Sequence, residues 1–337
     1  MIRMIRSVLL LAILTLFLAS CSMKSSGSLV IYAGLYEDHA IRAIEMFQKE
    51  TGIKVSYTRL SAGEVLERIR KEKDNPNASV WFGGTADTFV QAKQEGLLEP
   101  YESINARMID PEYKDAEGYW TGIYIGSIAF ISNKTWLQQT GLSVPQSWED
   151  LLKPEYRTMI AMGSPNLSGT GYTVLATIIQ LLGEEKGFDY FRKLNQLSPV
   201  YTSSGSTSGR AAGMGDVGTA IAFSHDAIKL YKEGFQNIVI SFPKEGTGYE
   251  IGGVGIIKNG PNMEEARKFV DWSLTKQAQE IGKQVGNYQM LTNQDAIPPE
   301  EAISLQSINV ITYDFNWAGS NRERLITKWK NEVLQKK

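Results

Sequence analysis

From Leu29 onward the chain alternates short apolar runs with amphipathic stretches of helical period. Leu29-Val30-Ile31-Tyr32 reads as a strand, followed by Ala33-Gly34 and a helix from about Asp38, in which Ile41, Ile44 and Phe47 share a face until Gly52. Ile53–Tyr57 alternates as a second strand, and a helix bearing Val65, Leu66 and Ile69 follows Ser61-Ala62-Gly63. Ser79–Phe82 is a third strand, Gly83-Gly84 a turn, and Ala86–Gln94 a helix. This strand–helix order predicts a mainly parallel sheet with helices on both faces.

The second half repeats the pattern with its own elements. Gly171–Leu182 is strongly apolar, Phe188–Leu197 is amphipathic, and Ala220–Phe223 reads as a buried strand. Ser147 followed by Asp150 resembles a capped start for a helix bearing Leu151 and Leu152. Two long β-rich segments, Trp120–Asn133 and the return through Gly246-Thr247-Gly248 into Ile251–Lys258, look like crossings between halves. They predict two α/β lobes joined by extended strands, with a cleft between them. The expected lobes are residues 29–122 plus 250–290 and residues 123–249 plus 291–337.

The amino terminus changes the picture of compartment. Arg3 and Arg6 precede a short apolar run, Ser7–Leu18, which ends in Leu18-Ala19-Ser20-Cys21. That is a secretory signal pattern, about twelve apolar residues where a membrane span needs about 20. Cys21 is the only cysteine among 337 residues, so it cannot staple an exported fold through an intramolecular disulfide. The segment resembles the lipobox of bacterial lipoproteins, which implies a signal peptide over residues 1–20, acylation of Cys21 and a lipid anchor in the cell envelope. Residues 21–28, containing Lys24-Ser25-Ser26-Gly27-Ser28, read as a flexible tether. Residues 1–20 carry two of the 35 basic residues, which leaves 33 against 37 acidic ones. A mildly acidic, unpatterned surface argues against nucleic acid as a partner.

The ordered series Val30-Ile31-Tyr32, Thr51–Val55, Ala78–Gly84 with Asp87, Glu95–Tyr101, Pro145–Leu151 and Pro261–Leu274 resembles the type II periplasmic binding proteins of the ferric-iron, thiamine and sugar-phosphate cluster. The resemblance covers nearly the whole chain beyond the tether. It implies a monomeric receptor that closes on a small solute, with an ABC permease and ATPase as partners and no cofactor. It does not fix the ligand.

Ligands of open α/β sheets sit beyond the carboxyl ends of the strands. The residues there are Ala33-Gly34, Ser61-Ala62-Gly63, Gly84-Thr85, the Gly163–Gly171 loop with Ser164, Ser168 and Thr170, Ser203–Ser208 with Ser204, and Ser224-His225-Asp226. Glycines, hydroxyls and amides at helix starts suit an oxyanion, although such clusters also serve as ordinary loops and N-caps. Asp226 either caps its helix or, with His225 and with Glu250 at the second crossing, accepts the hydroxyls of a polyol. Ferric-binding members of the cluster use adjacent tyrosines at this strand end, whereas this chain has Ala222-Phe223-Ser224-His225-Asp226, with Tyr201 and Tyr249 isolated.

His-Asp in that position, with a glutamate two dozen residues later, resembles the hexose-phosphate-binding branch. Carried over by position, Ser61, Thr85, Ser168, Thr170, Ser203 and Ser204 would cradle the phosphate, and His225, Asp226 and Glu250 would hold the sugar. 2-Aminoethylphosphonate also fits, with the carboxylates on its ammonium group. His39 beside Glu37-Asp38 reads as a helix start or a metal site, and Trp81, Trp120 and Trp148 as core or as stacking platforms for a sugar. No nucleophile elbow, phosphate-binding P-loop or zinc motif is present, and Gly205–Gly209 places Thr207 where a hydrolase needs serine.

Overall fold

The computed structural model describes residues 28–335, and Cys21 with its lipobox lies outside them. In the first half, β1 (Leu29–Ala33), α1 (Glu37–Thr51), β2 (Val55–Arg59), α2 (Ala62–Lys71), β3 (Val80–Thr85), α3 (Ala86–Gln94) and β4 (Leu98–Glu99) follow in order. Gly52 ends α1 in the left-handed conformation, at φ 73°. The expected turn at Gly83-Gly84 is instead the end of β3, where both glycines have positive φ (85° and 104°). The strand thereby bends into α3 without a separate turn, in a backbone conformation that glycine tolerates.

The chain then enters β5 (Thr121–Asn133), every residue of which is buried. Beyond it come α4 (Lys134–Thr140), β6 (Ile160–Gly163), α5 (Gly169–Leu182), α6 (Glu184–Gln196), β7 (Val200–Thr202), α7 (Gly205–Met214), β8 (Thr219–Phe223), α8 (Ser224–Lys232) and β9 (Ile238–Ser241). The chain returns through β10 (Tyr249–Ile257) to α9 (Met263–Ser273), α10 (Lys276–Gln279), α11 (Ile281–Gln284), β11 (Met290–Leu291) and the closing helix α12 (Phe315–Trp329). The helix expected around Leu151 is only a 3-10 turn, Glu149–Leu152, because Pro154 follows and removes an amide donor.

The sheet is mixed rather than mainly parallel. Its strand order is β2-β1-β3-β10-β5-β8-β6-β7. The β1–β2, β1–β3, β6–β7 and β6–β8 pairs are parallel, as the alternating pattern predicts. Strands β5 and β10 cross between the halves in opposite directions, so all the pairs they make are antiparallel. The first part of β5 pairs with β10, Ser127 opposite Tyr249, while Ile128–Ser132 pair with β8. One strand thus belongs to both lobes, and the change of partner falls between Ser127 and Ile128.

Each lobe has its own core. Ile31, Phe47, Val80 and Phe269 anchor one; Phe130, Met162, Tyr172 and Phe191 anchor the other. Trp81, Trp120 and Trp148 are all core residues, with Trp81 stacked on Phe89 at 4.1 Å. Helix α12 bridges the lobes: Leu325 and Trp329 pack into the second core, while Arg322 pairs with Asp87 of α3 at 3.2 Å, both almost fully buried. Among the described residues no helix is long and apolar enough to cross a membrane.

Candidate functional site

The helices of both lobes that begin at the carboxyl ends of their strands aim their amino termini into one cleft. Ser61 caps α2 and forms the capping box that the sequence suggested at Ser147: its amide donates to Glu64 Oε2 at 2.8 Å. Thr85 precedes α3, Ser168 caps α5 by accepting from the Gly171 amide at 3.2 Å, and Ser204 caps α7 by accepting from the Thr207 amide at 3.3 Å. Helix starts carry unpaired amides and partial positive charge, so their convergence makes an anion-attracting pole.

These helix starts touch one another, which is possible only because small residues stand at the contacts. A Cβ on Gly169 would lie 3.0 Å from Thr85 and 3.2 Å from Ala62, and one on Gly205 would lie 2.5 Å from Thr170 Oγ1. Ser61 Oγ also donates across the cleft to the Leu167 carbonyl at 2.7 Å. The lobes are therefore closed on each other around the site. Arg59, at the end of β2, lines the same cleft and is tethered through Nε to the Leu35 carbonyl at 3.2 Å.

The other pole is acidic and polar. His225 and Asp226 occupy the first turn of α8, and Glu250 enters from β10, opposite Gly126 of β5. Glu250 accepts from Gln289 Nε2 at 3.3 Å and stands 3.9 Å from His225 Nε2. A Cβ on Gly126 would lie 2.5 Å from His225 Nδ1, so the glycine on the crossing strand lets the imidazole in. His225 Nδ1 has no hydrogen-bond partner among the described residues. Tyr36, just ahead of α1, donates its hydroxyl across the cleft to Asp226 Oδ1.

Burial governs the charges here. It pushes the Asp226 carboxyl up to about 7, with Lys229 pulling the other way. Glu250 is raised well above the carboxylate range, by burial first and by the neighbouring Asp226 charge second. His225 is pushed down to about 3 by burial, which keeps the ring neutral. A protonated Glu250 can donate a hydrogen bond as well as accept one, a useful property opposite a hydroxyl.

The cavity between the poles is open on one side to solvent and lined mostly by polar groups. Gly34, Ser61, Thr85, Ser168, Thr170, Ser204, His225, Asp226 and Glu250 all line it. Two expected residues do not. Ser203 is exposed, and Ser164 bonds within its own loop to Asn166 Oδ1 at 2.6 Å. Sequence reasoning missed Tyr36, Arg59, Tyr124 and Gln289, while Ser206 lies within the expected Ser203–Ser208 stretch. Arg59 was within reach, since it ends a strand on the side where the rule places ligands. Tyr124 and Gln289 were not, because their faces depend on strand pairing and on a loop after α11. His39 is structural: it is buried, bonds through Nδ1 to Asn287 Nδ2 at 2.8 Å, and burial pushes it down to about 4. Among the described residues no cluster of His, Cys, Asp or Glu could hold a metal ion.

Residues 80–315 match the bacterial extracellular solute-binding proteins. Over 322 residues, 93% of each chain, the sequence is 36% identical to an uncharacterised protein of Haemophilus influenzae. It is 26% identical over 280 residues to the Fe(3+)-binding periplasmic protein of Serratia marcescens, covering 78% of this chain and 81% of that one. The periplasmic binding protein AfuA from Actinobacillus pleuropneumoniae, solved with fructose 6-phosphate bound, has a TM-score of 0.89 and 38% identity, covering 92% of this chain and 100% of that one. A two-lobed α/β fold closed around a polar cleft, shared over nearly its whole length with such proteins, identifies the chain as a member of the bacterial extracellular solute-binding protein family, the type II periplasmic binding proteins of ABC importers.

Proposed function

We propose that this protein captures a hexose phosphate, the cleft closing with the phosphate against the helix starts and the sugar against Asp226, Glu250 and His225. The division of the site into two poles carries this reading. Four helix amino termini meet at one end, where an oxyanion gains amide donors and hydroxyls, and Arg59 supplies a cation to the same cavity. Asp226, Glu250 and His225 gather at the other end, where hydroxyl groups gain partners. A simple phosphate would leave the second pole unpaired. The fructose 6-phosphate bound to AfuA is a ligand of this two-part chemistry.

Closure draws groups from both lobes onto one ligand, so the ligand stabilises the closed state by contacts that an open cleft does not offer. We divide the lobes between Ser127 and Ile128, where β5 changes partner, and again near Gly248-Tyr249, where β10 begins. The lipobox-like segment supports acylation at Cys21, which would hold a monomeric receptor at the envelope beside its permease and ATPase. Binding rather than catalysis is the work of this cleft.

A second reading, 2-aminoethylphosphonate, is supported by the same carboxyls acting on an ammonium group. Iron is disfavoured, because the strand end after β8 presents Ser224-His225-Asp226 in place of a tyrosine pair. A thermal-shift series tests these readings with glucose 6-phosphate, glucose, inorganic phosphate, 2-aminoethylphosphonate and ferric citrate. A ligand at a hundredfold excess over its Kd contributes about 2.7 kcal/mol to the folded state. The hexose phosphate should raise the midpoint well above phosphate or glucose alone. A larger shift with the phosphonate or iron complex would overturn the ligand assignment and leave the receptor role intact.

A further inference from the structure

At its acidic end the cavity stops at Tyr36. This half-buried residue is held from three sides by α8. Its hydroxyl donates to Asp226 Oδ1, its ring meets the His225 ring edge-on at 6.1 Å, and Lys229 Nζ lies 4.5 Å over its face. Lys229 in turn pairs with Asp38 of α1 at 2.5 Å, so the contacts around Tyr36 are tied to both lobes. Beyond it lies a second, outer groove lined by Thr207, Arg210, Lys229 and Glu233. The inner cavity and the outer groove share only Tyr36, Ser206 and Asp226. The Tyr36–Asp226 contact is therefore the wall between them.

We propose that Tyr36 sets the length of ligand this site accepts, admitting a single phosphorylated ring and excluding one that carries a second anionic group at its hydroxyl end. The inference rests on the reading that the inner cavity takes a phosphorylated solute. Three constraints on one ring make the wall rigid, so a longer ligand cannot displace it without breaking contacts on both lobes. With the phenol ring removed, the extra group gains a path into the outer groove, toward Arg210 and Lys229. The residue excludes by steric opposition, which is how a pocket rejects a larger ligand that shares the favoured head group.

Calorimetric titration of the purified protein with short and long members of two series tests this. One pairs glucose 6-phosphate with fructose 1,6-bisphosphate; the other pairs 2-aminoethylphosphonate with its N-carboxyethyl derivative, which carries a second anionic group at the amino end. The wild type should favour the short member by about tenfold or more, Tyr36→Ala should remove most of that preference, and Tyr36→Phe should keep it. A preference unchanged to within about twofold in a folded Tyr36→Ala variant would overturn the assignment, as would a wild type without the preference. Tyr36→Ser serves the same comparison if the alanine variant does not fold. If only the phosphonate series binds, the sugar reading fails while the length rule is still decided by that series. If neither series binds the wild type, both fall.

Discussion

Replacing Asp226 with alanine separates the sugar-holding role proposed for this carboxylate from general anion binding. In the closed cleft one of its oxygens already accepts from the Tyr36 hydroxyl, so a ligand hydroxyl competes for a single remaining oxygen. The ligand therefore gains one charge-assisted hydrogen bond there, worth about 1.5–3 kcal/mol. That corresponds to a roughly 10- to 150-fold loss of affinity for glucose 6-phosphate. Inorganic phosphate, seated at the helix starts, should lose no more than about threefold, since the bond it lacks cannot be taken from it. Calorimetry should be run at about pH 8, because burial pushes the Asp226 carboxyl up to about 7 and the acceptor must be ionised. Asp226→Asn, which keeps shape and one acceptor oxygen, should fall between the wild type and the alanine variant. Equal losses for both ligands would refute the reasoning, for Asp226 would then act on the phosphate or on the fold.

Arg59→Ala should weaken glucose 6-phosphate and inorganic phosphate alike, by roughly 10-fold or more, and leave any glucose binding unchanged in titrations. The stability advantage of wild type over Asp226→Asn should shrink from pH 5 to pH 8. A carboxyl raised from 3.8 to about 7 favours the folded state while protonated, and that contribution is lost as the pH climbs through about 7. Thermal midpoints across that range read it, and a growing advantage would contradict the burial argument. His39 and His225, both pushed down by burial, act with the opposite sign but cancel in the difference between the two proteins. Arg322→Ala should cost about 3–5 kcal/mol in urea denaturation, because it strands the Asp87 carboxyl, whose burial already pushes it up despite the ion pair. Asp87→Asn combined with Arg322→Ala should recover part of that loss.

The sequence by itself determined the order of elements and most of the helix starts that line the cleft. Helix Ala86–Gln94 and the crossing strand at Thr121–Asn133 were legible because burial on all sides or helical period leaves a local signature. Ser61, Ser168 and Ser204 were legible because a helix start needs its capping group at a fixed place in the chain, and Thr85 because it ends a strand that runs into a helix. His225-Asp226 and Glu250 stood out as rare polar residues at strand ends. What only the tertiary structure decided is which of these residues meet. The antiparallel course of β5 and β10 is invisible to local periodicity, and it sets Gly126 against His225 and brings Glu250 to the same place. Gln289 and Tyr124 reach the cleft from a loop and a strand whose facing depends on register. Tyr36 carries no chemical motif, and its role exists only because α8 of the other lobe closes over it. Local sequence fixes what each helix start can offer; the packing of two lobes around one cleft decides which offers are combined.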